Sequence, residues 1–288
     1  MEQWWPVVPG GLLVVVALRD VFHTLWHPSG TGRVSGALTA AMWAAARRRR
    51  SRAGALVGPA SVVATVVLWV VLLGLGWALV YWPFLADDFV FSGDLDRSAR
   101  GGFLDALYLS TVVLATLGFG DIVPSGGGLR LVTAAQALVG FALLTAGVSW
   151  LIQVEAALSR RRALARYLSL LRRTVDRQGP SALGAVSLDR VTADLARARV
   201  DLSHTTVTYY FTDQDREESL AATLPWAVGV AESATDATDP GTSAAAASAL
   251  LAAEDLLALI DTQLLHGDGS RADALRGFAE QHGYADAV

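Results

Sequence analysis

The hexapeptide Thr116-Leu117-Gly118-Phe119-Gly120-Asp121 is the segment of this chain whose residue types and spacing best suit chemistry. Glycines at alternate positions, 118 and 120, permit backbone angles that other residues avoid, so successive carbonyl oxygens can be aimed at one axis. The Thr116 hydroxyl adds a further oxygen at the inner end. Such a ladder offers a dehydrated cation a set of neutral oxygens in place of its lost water shell. Leu117 and Phe119 then face away from the axis and pack behind the ladder, where their bulk sets its width and stiffness.

Other chemically capable groups do not converge. His23 and His27 are four residues apart, a spacing that lets two metal ligands share a helix face, but no third ligand accompanies them. His204 with Asp201 or Asp213 forms no acid, base and nucleophile set. The chain has no cysteine, which excludes disulfides, thiolate metal sites and thiol nucleophiles. Residues 160–288 contain no Gly-x-Gly-x-x-Gly after a strand, the pattern that cradles a dinucleotide. An enzyme is not expected, with no catalytic residues, no cofactor and no nucleic-acid partner.

The elements that must hold the hexapeptide follow from composition. At 53% hydrophobic and 17% charged, the chain reads as an all-α membrane protein in contact with a lipid bilayer. Residues 53–86 and 131–154 carry no charge, and each is long enough for a hydrocarbon core of about 30 Å, which takes about 20 helical residues. Arg47, Arg48, Arg49, Arg50 and Arg52 precede the first stretch, and Arg160, Arg161, Arg162 and Arg166 follow the second. Arginine clusters stay on the cytoplasmic side, so the two spans form a hairpin open to the outside, with the C-terminus inside and the plasma (inner) membrane as location. Its first helix is expected to begin near Pro59 and to end in the aromatic belt Tyr81-Trp82-Pro83.

Between the spans, residues 103–115 are apolar but too short to cross, which predicts a re-entrant helix whose negative end faces a cation. Non-helical backbone such as the hexapeptide is tolerated at membrane depth only where protein buries it or it lines a water-filled cavity. Asp87, Asp88, Asp94 and Asp96 would enrich cations at the outer mouth. A weaker span from Trp4 to Trp26, interrupted by Arg19 and Asp20, puts the N-terminus outside. A turn-rich break at 28–34 and an interfacial helix over 35–46, bearing Met42 and Trp43, follow it.

Residues 53–156 resemble the two-helix pore module of potassium channels, whose filter usually reads Thr-Val-Gly-Tyr-Gly-Asp, and Ile122-Val123-Pro124 also fits that family. The resemblance implies potassium sites at Thr116, Leu117, Gly118 and Phe119, with Gly120 completing the filter. It implies that Tyr108, thirteen residues before Asp121, braces that aspartate by a hydrogen bond. It implies further an inner-helix hinge at Gly140, 22 positions after Gly118, and a gate at Val148 and Ile152. One chain supplies one filter loop while an ion needs carbonyls on four sides, so a homotetramer is expected. Leu117 for valine and Phe119 for tyrosine are departures, and the second loses a hydroxyl behind the filter. A weakly selective or nonselective cation channel, or a non-conducting membrane sensor, are the alternatives.

No span carries arginine at every third position, so no voltage sensor is expected. The domain reading is 1–52 for an N-terminal membrane helix plus interfacial helix, 53–156 for the pore and 157–288 for a helical cytoplasmic region with no assigned regulatory ligand. Within that region, 178–182 and 232–248 read as linkers and Leu250–Leu265 as a helix, and Arg160–Arg162 as contacts for anionic lipid or topology determinants. Tyr209-Tyr210-Phe211 reads as core.

Overall fold

The computed structural model describes residues 4–26, 32–48, 54–92, 101–179, 182–265, 267 and 269–287. Expectations placed on His27, on residues 28–31, on Arg49, Arg50 and Arg52, on Asp94 and Asp96, and on residues 180–181 lie outside the described residues. The protein is all-α apart from one short two-stranded ladder among the described residues. It divides into two compact units, one of residues 1–27, 31–38 and 62–152, the other of 28–30, 39–61 and 153–288.

In the first unit, α1 (Val7–Leu25) and α3 (Gly54–Tyr81) are both long and apolar enough to cross a membrane, with mean hydropathies of 1.5 and 2.5. α3 begins five residues before Pro59 rather than at it. In the second turn the proline removes one helical hydrogen bond and its ring crowds the carbonyl of residue 55. Glycine lets α1 and α3 approach closely: a Cβ on Gly10 would lie 2.7 Å from the Gly76 carbonyl oxygen. Small residues of this kind are how apolar helices pack in lipid, where no hydrophobic force drives them together.

Asp20, which interrupts the first span in sequence, is buried and fully engaged. Its carboxylate accepts from the Val34 and Ser35 amides at 2.8 and 3.1 Å, capping N–H groups that the first turn of α2 (Arg33–Arg48) cannot satisfy within the helix. It also accepts from the Trp69 indole of α3 at 2.9 Å. Gly32 is required here, because a Cβ would sit 2.2 Å from the Asp20 carboxylate. A charge that costs several kcal/mol when unpaired in a membrane is thus spread over three donors. Thr24 completes the corner by accepting from Gly32 N at 2.9 Å.

The second unit is a helical bundle built on the last part of α5 (Gly127–Gln178), with α6 (Ala185–His204), α7 (Leu220–Ala234), α8 (Pro240–Ile260) and α9 (Arg271–Gln281). Two expectations are corrected. Most of 232–248 is helix, not linker, and the helix expected from Leu250 begins at Pro240, capped by Asp239, whose carboxylate accepts from Thr242 N at 2.8 Å. Alanine explains both errors: Ala245, Ala246, Ala249 and Ala253 are buried, and their small side chains let α6 and α8 pack closely without the Leu/Ile spacing that marks a buried face. α8 is also long and apolar enough to span a membrane, with a mean hydropathy of 1.6. Here it is the core helix of the bundle, with Glu254 and Asp255 ion-paired to Arg271 and Arg199.

The arginines after the second span also make ion pairs within the bundle. Arg160 forks onto Asp201 at 2.7 and 2.8 Å, and Arg162 reaches Asp213 at 2.7 Å. Arg161 is largely shielded from solvent and donates to the Thr208 and Phe211 carbonyls and to Asp213 at 2.6 to 2.9 Å. Burial pushes its pKa down, and the adjacent Asp213 opposes that. A buried pair of this kind is expensive to break, because removal of either partner strands the other charge.

Tyr209 is core, as the sequence suggests, and it lies in an aromatic cluster with Trp43, Phe278 and His282. Both His282 ring nitrogens face carbonyl oxygens, Phe278 at 2.9 Å and Tyr209 at 2.7 Å. A neutral imidazole can donate to only one of them. Burial nevertheless dominates and pushes the His282 pKa down to about 4. Because the unfolded chain takes up this proton near pH 6.5 and the folded chain does not, stability is full above pH 6.5 and falls as pH drops toward 4, by about 3 kcal/mol from this group. The unfolding midpoint of the detergent-solubilised protein should therefore drop between pH 7 and 4.5, and His282→Gln should flatten that slope. An equal slope in both proteins would exclude His282 as its source.

Candidate functional site

The hexapeptide sits between α4 (Phe103–Leu114) and β2 (Ile122–Pro124). α4 is a 12-residue helix, too short to span. Its start is fixed by Asp105, whose carboxylate accepts from the Gly101 and Gly102 amides at 3.1 and 3.2 Å, an acid placed at the positive end of the helix. Its last carbonyls are taken by the loop that follows: Thr116 N donates to Val113 O and Leu117 N to Val112 O, both at 3.0 Å.

A buried polar network fixes α4 between its neighbours. The Tyr81 hydroxyl of α3 donates to Gln136 of α5 at 2.7 Å, and the Gln136 amide donates to the Ser110 carbonyl of α4 at 2.9 Å. The Ser110 hydroxyl donates to the Gly74 carbonyl of α3 at 2.8 Å. These side chains are inaccessible to solvent, and every member is satisfied, which is the condition under which a buried polar network rigidifies rather than destabilises. Sequence reasoning missed Gln136 and Ser110; the signal available was an amide and a hydroxyl inside segments otherwise apolar.

At Gly140 the structure shows close approach. A Cβ there would lie 1.9 Å from the Leu114 carbonyl oxygen, so the end of α4 rests directly on the α5 backbone. α5 runs unbroken through this position.

From 116 to 120 the backbone alternates in hand. Thr116, Gly118 and Gly120 have φ of 59°, 55° and 77°, whereas Leu117 and Phe119 are not in the positive region. Reversing the hand at every second residue is the backbone pattern that lets successive peptide planes turn to the same side. Thr116 is the informative member, since a β-branched residue at positive φ is a genuine outlier that costs roughly 1–3 kcal/mol. Sequence reasoning accounted for the glycines and not for this threonine. Leu117 and Phe119 are largely exposed in the single chain, and so is the backbone edge from 116 to 120.

Beyond the loop, Asp121 accepts from the Tyr108 hydroxyl at 2.7 Å and, through its other oxygen, from the Ile122 amide at 3.1 Å. β2 pairs antiparallel with β1 (Phe89–Phe91), Val90 opposite Val123. At the inner end, a largely apolar cleft of about 420 Å³ opens beside Thr116, lined by the end of α4, by Val66, Val70 and Gly74 of α3 and by one face of α5. Val148 lines this cleft, and Ile152, one turn on, is exposed but does not.

Residues 64–155 match the family described as Ion channel. The matched segment covers most of α3, the short helix, the alternating-hand loop and the first half of α5. The uncharacterized membrane protein YdjJ of Bacillus subtilis (strain 168) is 30% identical over 164 residues, which is 56% of this chain and 47% of that protein. The chain spans about half the length of this curated relative. No solved structure matches. The membrane character read from composition and the two-helix pore reading both agree with these matches.

Proposed function

We propose that four copies of this chain surround one axis and form a potassium-selective pore in the plasma membrane, with the N-terminus outside and the bundle cytoplasmic. The observation that carries this reading is the alternating hand of residues 116, 118 and 120 in an exposed loop of the segment that matches the Ion channel family. Polar backbone exposed at membrane depth is unsustainable in lipid, so its open edge must face further protein and an aqueous axis. Four such edges supply the rings of carbonyls that replace potassium's hydration shell, with Thr116, Leu117, Gly118 and Phe119 as the ligand positions and the Thr116 hydroxyl innermost. The cleft beside Thr116 becomes part of a shared inner cavity, toward which the α4 C-termini present their negative ends. Val148, on that cleft, and Ile152 below it form an apolar constriction that closes by dewetting. Tyr108 and Asp121 hold the outer end.

A weakly selective cation pore is the second reading, and Phe119 favours it, because its ring brings no hydroxyl to anchor the filter from behind. Protein reconstituted into potassium-loaded vesicles should release potassium when a proton ionophore balances the charge. No release above that of protein-free vesicles would reject conduction altogether.

A further inference from the structure

The filter exit of this chain is held from a direction that the hexapeptide itself does not disclose. With phenylalanine at 119, the residue behind the last carbonyls has nothing to donate. On the other side, however, the outer loop turns back onto the filter as β1, and its anchoring is complete. Phe89 is fully buried and packs edge-on against Tyr81 at 5.9 Å. The ladder register pairs Phe89 with Pro124 and Phe91 with Ile122. Ser125 closes the far end, its amide and hydroxyl both donating to the Asp88 carbonyl at 2.9 and 2.8 Å.

Ser92, next along the chain after β1, is thereby carried to the filter. Its amide donates to the Asp121 carbonyl at 2.8 Å, which extends the ladder by one bond. Its hydroxyl donates to the carbonyl of Gly120 at 3.0 Å. Gly120, at φ 77°, is the last residue of the alternating run, and a glycine there resists rotation of its peptide plane less than any other residue would.

We propose that Ser92 is a positioning residue for the filter exit: its hydroxyl latches the Gly120 carbonyl and so fixes the orientation of the outermost peptide plane. This rests on the reading of 116–120 as an ion filter. The latch engages a lone pair of Gly120 from the loop side, which leaves the Phe119 carbonyl as the outermost ring aimed at the ion. It also supplies the restraint that a hydroxyl on residue 119 would otherwise give. Because Ser92 is exposed, the latch adds little to overall stability and acts on the geometry of one peptide plane.

The test compares full-length wild type, Ser92→Ala and Ser92→Thr. Amide exchange is followed by mass spectrometry in the peptide covering 116–124, and the sodium-to-potassium permeability ratio is measured after reconstitution. Ser92→Ala should raise exchange in that peptide and the permeability ratio, each by about threefold to tenfold, the range commanded by one ordinary hydrogen bond. Ser92→Thr, which keeps the hydroxyl, should behave as wild type, and the unfolding midpoint should not move in either variant. Unchanged exchange and permeability in Ser92→Ala would overturn the latch. Raised exchange in Ser92→Ala, in a protein whose wild type passes no ions, would uphold the latch and reject the conduction reading.

Discussion

Replacing Gly118 with aspartate should abolish potassium flux, by at least about 100-fold, while the protein still inserts, assembles and keeps its unfolding midpoint. Gly118 has φ 55°, and a Cβ placed on it would meet no heavy atom within 4 Å, so in the single chain a side chain is opposed by backbone conformation alone. For an L-residue that conformation costs roughly 1–2 kcal/mol. Four chains would each bear it, about 4–8 kcal/mol in all if the conducting geometry must be kept, so the loop leaves that geometry instead. Four carboxylates around one axis add mutual repulsion or hold a cation too firmly to release it. Flux of the variant is the readout, with size-exclusion mass and thermal unfolding as controls. A variant that conducts like wild type would show that residues 116–120 do not line the ion path.

Gly140→Ala is expected to act differently, on assembly and stability as well as on flux. The added methyl would lie 1.9 Å from a backbone oxygen, which no rotamer change can relieve. Relief requires α4 and α5 to move apart by more than an ångström, and overpacking of this kind costs about 1–3 kcal/mol, sometimes more. The displaced carbonyl is that of Leu114, two residues before Thr116, so the start of the 116–120 loop shifts with it. The unfolding midpoint should drop by about 5 °C or more, with flux reduced at least tenfold. Were Gly140 purely a hinge, alanine would leave the midpoint in place and change only the open probability. Gly147, where a Cβ meets nothing within 4 Å in the chain, provides a comparison in the same helix.

How far the sequence reveals these features depends on the range of the interactions involved. The membrane helices are legible because an uninterrupted apolar run records its environment locally, residue by residue. The hexapeptide is legible because alternate glycines state a backbone requirement outright. Thr116 shares the left-handed conformation of those glycines, yet nothing in a threonine announces it, since the surroundings impose the strain. Asp20 reads as a defect in a span, and its purpose depends on amides of α2 and an indole 49 residues further on. The arginines after the second span read as topology signals, whereas their carboxylate partners lie 41 to 52 residues away and reach them only through the folded bundle. Tyr81, Ser110 and Gln136 form one network from three helices, and no local pattern links them. The Ala-rich helices fail for the opposite reason: alanine packs closely on any face, so burial leaves no periodic mark.

If residues 64–155 form the proposed pore, they pass potassium in preference to sodium. Under bi-ionic conditions, with equal potassium and sodium on opposite sides of a bilayer containing the reconstituted protein, the reversal potential measures that preference at about 59 mV per tenfold. A displacement of at least about 60 mV toward the potassium equilibrium potential is expected, and a reversal potential near zero would contradict the claim.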